Sequence, residues 1–229
     1  MKEIISNSIY FGVVITIFAY YLGYVMCKKL KWKIVNPLII SSILIISFLL
    51  LFKIEFKVYE KSANYITYLL TPTTICLAVP LYRQISILKK NFMAIIMALL
   101  CGCIGHLVTM VIVSMIFGMD EKLLLSILSK SVTMPIAIDI STEIGGVPAL
   151  TIIGVILAGM IGATLGPVLL KFMKIKDPIA QGLAIGCASH ALGTTKAVEI
   201  GGIQGAMSSL AIVVTGLLTV VVVQIYMMF

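Results

Sequence analysis

Charged side chains, and acidic ones above all, are scarce in this sequence. Only 11% of the 229 residues are Asp, Glu, Lys or Arg, and only nine are acidic. A soluble domain carries roughly 25% charged residues, which cover its surface in water. The scarcity of charge, together with 61% hydrophobic residues and a mean hydropathy of +1.16, excludes a soluble globular domain and predicts a protein that faces lipid.

Cysteine and histidine are too few and too scattered for a disulfide framework or a metal site. The total of five cysteines is odd, so they cannot all pair. Cys101 and Cys103 are two positions apart in a predicted helix, and their side chains therefore point to nearly opposite sides. Cys103 and His106 share a face, but two ligands do not make a metal site. We expect the cysteines to pack within the apolar runs, and we expect no metal and no cofactor.

Motifs of nucleotide hydrolysis and of common hydrolases are missing too. The sequence contains no Gly-x-x-x-x-Gly-Lys loop, no Gly-x-Ser-x-Gly elbow and no His-Glu-x-x-His pair. We therefore expect a protein that is not an enzyme. The net charge of +8 does not indicate a nucleic-acid partner, because most Lys and Arg residues lie in short connectors between apolar runs, as membrane topology requires.

Six apolar runs are long enough to cross a bilayer, which takes about 20 mostly apolar residues. They comprise residues 9–26, 35–52, 64–82, 92–117, 147–172 and 203–229. We predict a single all-α membrane domain over residues 1–229. Residues 1–62 are expected to form scaffold helices, and residues 63–229 a core whose helices are interrupted at 71–82, 130–146 and 182–199.

Two segments, 123–146 and 178–202, are more polar than the runs beside them. If each dips into the membrane from opposite sides and returns, one membrane face collects ten Lys and Arg residues and the other face five. Such a bias is typical of a cytoplasmic face. We therefore predict two re-entrant hairpins in a multi-pass protein of the cell membrane. Both termini are predicted to lie outside the cell. This arrangement is compatible with an inverted repeat, which the sequence leaves open. Kinked helices that cross at the same places are the alternative.

The first polar segment combines a lysine, two hydroxyls and a proline. Pro135 disfavours helix at Met134, and Thr133 is placed to cap a half-helix that has Pro135 in its first turn. The positive end of that half-helix would point at the break. Lys130, Ser131 and Thr133 beside a helix N-terminus suit a carboxylate, and a charge within the membrane is expensive enough to indicate a function.

Asp139 and Glu143 lie further along the same half-helix, four positions apart and therefore on one face. Carboxylates in that position could carry a coupling proton. The alternative is that both simply lie at the membrane surface.

The second polar segment leads to a histidine. Gly182, Gly186 and His190 share one helical face, and Gly193 permits a break in the helix. An imidazole beside a break could hydrogen-bond a substrate or relay a proton, although a lone histidine in an apolar helix is usually a core residue with satisfied hydrogen bonds.

Polar residues continue beyond that predicted break. Thr194 and Thr195 can cap a helix that starts after it, whereas Lys196 and Glu199 are three apart and can pair with each other. The interruption at 71–82 offers Thr74 but no deep charge, and a proline kink alone could explain it. Elsewhere, small residues recur every four positions and predict close helix packing: Gly154, Ala158, Gly162 and Gly166.

These motifs resemble those of the LrgB/CidB family, and the resemblance runs over nearly the whole chain. It is most specific in Thr71-Pro72 with Leu77–Tyr82, in Lys130–Ala137 with Ile144–Pro148, in the series Gly182, Gly186, His190, Gly193, Thr194, Ala197 and Glu199, and in Gly205–Leu210. The resemblance implies two functions. Bacterial members are described as antiholin-like regulators of murein hydrolases that act with a small holin-like partner of the LrgA/CidA type. Plant relatives are chloroplast glycolate/glycerate translocators, and bacterial members have been linked to pyruvate or acetate movement.

Our main prediction is a proton-coupled secondary transporter of small monocarboxylates such as glycolate, lactate or pyruvate, working by alternating access. The predicted substrate-binding residues are Lys130, Ser131, Thr133, Pro135, His190, Thr194, Thr195 and Thr74. The candidate proton carriers are Asp139, Glu143, His190 and Glu199. The alternative is an antiholin-like regulator of a holin-type partner that controls murein hydrolase activity and cell lysis. Besides the carboxylate, the expected partners are the lipid bilayer and that holin-like protein, and a homodimer is left open.

Overall fold

A computed structural model describes residues 10–30, 37–69 and 82–228, together with isolated positions at 72, 75, 76 and 79. All regular secondary structure in these described residues is helical, as the sequence predicts. The chain divides into two compact units, residues 1–76 and residues 77–229.

The first unit contains three helices in its described residues. They are α1 (Phe11–Leu30), α2 (Pro37–Leu51) and α3 (Phe56–Thr67). Hydrogen bonds link α1 to α3, since the backbone N–H of Gly12 donates to Ser62 Oγ at 2.8 Å and the hydroxyls of Thr16 and Tyr59 lie 2.8 Å apart. A side chain at Gly12 would collide with the backbone of Ala63, so the missing Cβ is what allows this close approach.

The second unit contains seven helices in the part of the chain that the structure describes. They are α4 (Ile85–Lys90), α5 (Phe92–Phe117), α6 (Glu121–Ile127), α7 (Met134–Glu143), α8 (Pro148–Phe172), α9 (Pro178–Ile200) and α10 (Gly202–Tyr226). Helices α5, α8 and α10 have 26, 25 and 25 residues. At 1.5 Å per residue each is about 38 Å long, enough to cross a hydrocarbon core of about 30 Å. The predicted spans 92–117, 147–172 and 203–229 therefore correspond to these three helices.

The all-α membrane fold predicted from the sequence is confirmed. Within the described residues, four helices are long and apolar enough to span a membrane: α1, α5, α8 and α10. Helix α2 is apolar but has only 15 residues. The predicted span 64–82 begins within α3, and 8 of its 19 residues lie outside the described residues, so the total of six spans stays a prediction.

Residues 121–143, called hairpin 1 below, form a helical hairpin. Its arms α6 and α7 have 7 and 10 residues, or about 11 and about 15 Å, and neither can cross a bilayer alone. The backbone N–H of Val147, just after the second arm, donates to Ser126 Oγ in the first arm at 2.7 Å. Between the arms, Ser129 Oγ donates to the carbonyl of Ala137 at 3.0 Å. The chain therefore returns to the end of the unit from which it came, as predicted for residues 123–146.

Residues 178–200, called hairpin 2, fold back in the same manner. Helix α9 is broken at His190, whose backbone has φ 41° and ψ −137°, and Ile185 before the break packs with Ala197 after it. The prediction that the break lies at Gly193 is wrong. Gly193 instead lets the two arms touch, because a Cβ there would lie 2.9 Å from the carbonyl oxygen of Ile185.

The two hairpins approach each other from opposite ends of α8. Val147, the N-cap residue of α8, lies beside Ser126 in the first arm of hairpin 1. Further along α8, a Cβ on Gly154 would lie 3.5 Å from Cβ of Lys130, near the tip of hairpin 1. The next residue, Val155, accepts a hydrogen bond of 3.0 Å from Nε2 of His190, at the tip of hairpin 2. The tips of both hairpins thus meet near the middle of the spanning helix, as the predicted opposed dips require.

Small residues on α8 make this meeting possible. Side chains at Gly159 and Gly162 would collide with His190 and Ser189, and one at Gly166 would lie 3.8 Å from Ile185. The predicted role of the small-residue series in close packing is confirmed at Gly162, whereas a Cβ at Gly154 or Gly166 would make only ordinary contacts. The residues that these positions of α8 contact belong to the two hairpins.

Candidate functional site

A cleft of about 750 Å³ lies between α5 and the first arm of hairpin 2. We call it the α5–α9 cleft. Its walls are made mainly of small residues: Ala94, Ala98, Gly102 and Gly105 on α5, and Ala180, Ala184 and Ala188 on α9. Asn91 and Asp177 lie at the end near the base of hairpin 2, whereas His106, Lys130 and Ser131 lie at the inner end. The polar groups at the inner end are therefore set in largely apolar surroundings.

Lys130 is the one cation among the described residues that line the cleft. It belongs to the non-helical connection between α6 and α7, where its backbone N–H donates to the carbonyl of Ile127 at 3.2 Å. Its side chain is half-buried, and no carboxylate of the described residues lies within ion-pair distance of it. A positive charge held in an apolar cleft without a protein counter-ion favours an anionic ligand.

His106 lies beside Lys130 in the cleft, and its sequence pattern predicted no functional role for it. It is carried by α5, and its Nε2 donates to the carbonyl of Leu128 in hairpin 1 at 3.0 Å. This hydrogen bond satisfies a carbonyl that the end of α6 leaves without a helical partner and ties the hairpin tip to a spanning helix. The only sequence signal for His106 was a histidine in the centre of an otherwise apolar span.

Two buried hydroxyls of the described residues have no hydrogen-bond partner, and each lies at the tip of one hairpin. They are Ser131 Oγ and Ser189 Oγ. Buried polar groups are nearly always hydrogen-bonded, so an unpartnered hydroxyl indicates a place for water or ligand. Ser131 lines the α5–α9 cleft with Lys130, and it is the predicted site residue that the geometry supports most directly after the lysine.

Thr133 and Pro135 lie at the start of α7, as predicted. Thr133 has the extended backbone of a cap residue, with φ −65° and ψ 148°, and Pro135 is in the first turn. The hydroxyl of Thr133 makes no capping hydrogen bond, however. Neither residue is among those that line the α5–α9 cleft.

His190 and Thr194 are buried at the tip of hairpin 2, where their polar atoms have protein partners. The imidazole bonds to Val155 of α8. Thr194 Oγ1 donates to the carbonyl of His190 at 3.0 Å and accepts from Ser208 Oγ of α10 at 2.7 Å. These bonds hold the tip against two spanning helices, and the structure does not bring either residue to the lining of the cleft.

The other predicted residues are exposed. Thr195 donates to the carbonyl of Leu192 at 2.8 Å, and Glu199 forms an ion pair of 2.6 Å with Lys196, the alternative that the sequence left open. Asp139 and Glu143 are both on the exposed side of α7. Thr74 lies outside the described residues.

Cys103 and Cys187 meet across the cleft wall. The side chains of these two cysteines, one on α5 and one on α9, interact with each other, and Cys103 Sγ also lies 3.8 Å from Thr219 Oγ1 on α10. Cys187 lines the cleft and lies against Gly102, where a Cβ would come within 2.9 Å of its sulfur. This contact joins residues far apart in the chain, so no sequence spacing could have shown it.

Comparisons with known proteins agree on one family. The sequence profile of the LrgB-like family matches residues 16–229. The antiholin-like protein LrgB of Bacillus mycoides (strain KBAB4) is 39% identical over 221 residues, which cover 96% of each chain. The proteins of the same name from Bacillus cereus (strain B4264) and Bacillus anthracis (strain CDC 684 / NRRL 3495) are 38% identical over 96% of each chain. No solved structure matches. The chain is thus a membrane protein of the LrgB family.

Proposed function

We propose that this protein is a secondary transporter of small monocarboxylates, of the size of glycolate, lactate or pyruvate, and that the α5–α9 cleft holds the substrate. The observation that carries the proposal is Lys130, a cation with no counter-ion among the described residues, at the inner end of an apolar cleft. The unpartnered hydroxyl of Ser131 adds a hydrogen-bond donor for a carboxylate. The neighbouring His106 uses its Nε2–H on the carbonyl of Leu128, so its part in the proposal is to hold the tip of hairpin 1 beside the cleft. The substrate crosses unchanged, without enzymatic chemistry.

Two hairpins that meet from opposite ends of the unit suit alternating access. The α5–α9 cleft extends from Asn91 and Asp177 inward to Lys130. In this proposal it is the path between the substrate and the face that carries Lys89 and Lys90, and movement of hairpin 1 would open the other path. Among the proposed proton carriers, only His190 is buried, with 6% exposure, so it is the favoured one.

Charge distribution supports the proposed orientation in a cell membrane. Lys89 and Lys90 precede α5, and Lys171, Lys174 and Lys176 follow or end α8, at the end of the unit where the base of hairpin 2 lies. The base of hairpin 1 has Lys122. The lysine-rich end is proposed to be cytoplasmic.

The test is uptake of radiolabelled lactate, pyruvate and glycolate by liposomes that contain the purified protein alone. Replacing Lys130 with Gln removes the charge from the cleft and should reduce uptake about tenfold or more, since hydrogen bonds to charged groups contribute about 1.5–3 kcal/mol. Lys122→Gln, an equal charge change at the exposed base of hairpin 1, is the matched control. Uptake that is the same in both variants, or that never saturates with substrate, contradicts the proposal.

An antiholin-like role is the second candidate, and the names of the relatives favour it more directly than they favour carboxylate transport. In this role the protein would bind a small holin-like membrane partner of the LrgA/CidA type and control lysis. Partner binding does not need a charge in the α5–α9 cleft. Cells that carry Lys130→Gln should then keep normal control of lysis. If the variant loses both carboxylate uptake and control of lysis, the two roles depend on the same site.

A further inference from the structure

A second cleft, of about 470 Å³, lies between the end of α8 and the base of hairpin 2. We call it the lysine cleft. Lys171, Lys174 and Lys176 line it together with four apolar residues: Pro167, Leu170, Ile175 and Ile200. Three cations and an apolar surface thus converge on one cavity at the end of a membrane-spanning helix. The α5–α9 cleft shares none of these residues, and the inference does not rest on the transport proposal.

The turn that ends α8 brings the lysines together. The backbone N–H of Ile175 donates to the carbonyl of Leu170 at 3.0 Å, and that of Lys174 donates to the carbonyl of Lys171 at 3.1 Å. Lys174 takes the left-handed conformation, with φ 57°, that this kind of helix end requires. On the other side of the cleft, Gln181 Nε2 donates to the carbonyl of Ile175 at 2.8 Å. The backbone around the lysines is therefore well defined.

The charge of this cleft is not neutralised by the described residues. No acidic residue among them lines it, and none of its three lysines is within ion-pair distance of a carboxylate in that part of the chain. The two nearest acidic residues in the sequence are engaged elsewhere. Asp177 accepts the backbone N–H of Ala180 at 2.8 Å as the cap of α9, and Glu199 pairs with Lys196.

We propose that the lysine cleft binds the anionic headgroup of a membrane phospholipid. The phosphate lies among the three lysines, and the start of an acyl chain lies along the apolar lining. Basic pockets between transmembrane helices are known to recognise acidic lipid headgroups. Lysines that only set topology, or that only complement the helix dipole, need to lie near the helix end. They need not converge on one cavity with apolar walls.

The position of the cleft gives the bound lipid a structural consequence. Gln181 belongs to the first arm of hairpin 2 and Ile200 ends the second arm, and both line the cavity beside α8. A lipid in the cleft therefore contacts α8 and both arms at their base. We expect it to raise the thermal stability of the full-length protein.

The experiment compares two double variants with equal loss of charge. Lys171→Gln/Lys176→Gln removes two cations from the lysine cleft, whereas Lys89→Gln/Lys90→Gln removes two cations from outside it. Purified proteins in neutral detergent are titrated with phosphatidylglycerol, with phosphatidylcholine and with sn-glycerol 3-phosphate. The increase in unfolding temperature and the lipid retained in native mass spectra are measured.

The expected result is stabilisation of the wild type by phosphatidylglycerol alone, with an apparent affinity that falls about tenfold or more in Lys171→Gln/Lys176→Gln. The variant Lys89→Gln/Lys90→Gln should bind like the wild type. Equal weakening in both variants would show unspecific attraction to a basic surface and would overturn the proposal. Equal binding of glycerol 3-phosphate would overturn it as well, since the cleft would then be a site for free small anions.

Discussion

At the scale of single residues, Lys130 at the tip of hairpin 1 differs in its partners from His190 and Thr194 at the tip of hairpin 2. Lys130 has no carboxylate partner in the described residues and lies in a cleft. His190 is buried and donates to Val155, and Thr194 beside it bonds to both His190 and Ser208. A polar group with protein partners stabilises the fold, whereas one without partners is free for a ligand. We therefore expect substitutions of Lys130 and of Thr194 to affect different properties, ligand binding in the first case and stability in the second.

Thr194→Val tests this distinction. The substitution removes a buried hydroxyl that joins hairpin 2 to α10 and should lower the free energy of unfolding by about 1 kcal/mol. Thermal unfolding of the detergent-solubilised protein measures the effect. Thr195→Val is the control, because that hydroxyl is exposed and bonds only within its own helix. Equal stability of the two variants would mean that the Thr194–Ser208 bond does not hold the tip.

At the scale of helices, glycine contacts decide how hairpin 2 packs on α10. A Cβ at Gly182 would lie 2.5 Å from the carbonyl oxygen of Gln204, and one at Gly186 would lie 2.5 Å from that of Ser208. These contacts advance together along both helices, so the first arm of hairpin 2 runs parallel to α10. The second arm runs antiparallel to α10, since Val198 lies against Gly205 and Thr194 against Ser208. Backbone contacts of this kind permit no side chain on the glycine.

Gly186→Ala should separate the first arm of hairpin 2 from α10. The added methyl group would meet the backbone of Ser208 and the Cβ of Ala211 at 2.8 Å, and overpacking of this kind destabilises by about 1–3 kcal/mol. Gly105→Ala is the matched control, since a Cβ there meets nothing within 4 Å. Its helix propensity rises, so its unfolding temperature should stay the same or increase. A wild-type unfolding temperature for Gly186→Ala would contradict the packing described.

At the scale of the second unit, three spanning helices of the described residues hold two hairpins that enter from opposite ends. Helix α5 runs from the base of hairpin 2 toward the base of hairpin 1, and α8 returns in the opposite direction. Each of these two helices is thus succeeded by a hairpin that begins where the helix ends. Helix α5 followed by hairpin 1 therefore has the same layout as α8 followed by hairpin 2, in the opposite direction. An inverted repeat, which the sequence left open, would produce this arrangement.

Opposed hairpins predict opposite accessibility of their bases. In a cysteine-free background, single cysteines at Glu143, near the base of hairpin 1, and at Lys174, near the base of hairpin 2, should react with a membrane-impermeant maleimide from opposite sides of sealed vesicles. Cysteines at Lys122 and Lys89 are controls for the same two sides. Labelling of the Glu143 and Lys174 positions from one side would exclude two hairpins of opposite direction.

Much of this architecture could be predicted from the sequence, because the membrane imposes it locally. Apolar runs of sufficient length determined α5, α8 and α10, and Pro135 after Thr133 determined where α7 begins. The uneven distribution of Lys and Arg between the two membrane faces, together with the polar segments 123–146 and 178–202, predicted both hairpins. The break in hairpin 2 was placed at Gly193, since glycine tolerates a broken helix, but His190 takes the unusual backbone conformation and Gly193 serves arm-to-arm contact.

By itself, the sequence determined that this chain is an all-α membrane protein with a lysine at an interrupted helix, since hydropathy and proline act through neighbouring residues. Only the tertiary structure decided which polar side chains share a cavity. His106 joins Lys130 and Ser131, Thr194 turns to Ser208, and three lysines meet around the end of α8. Such groupings depend on how separate helices pack, and contacts between distant parts of the chain leave no local pattern.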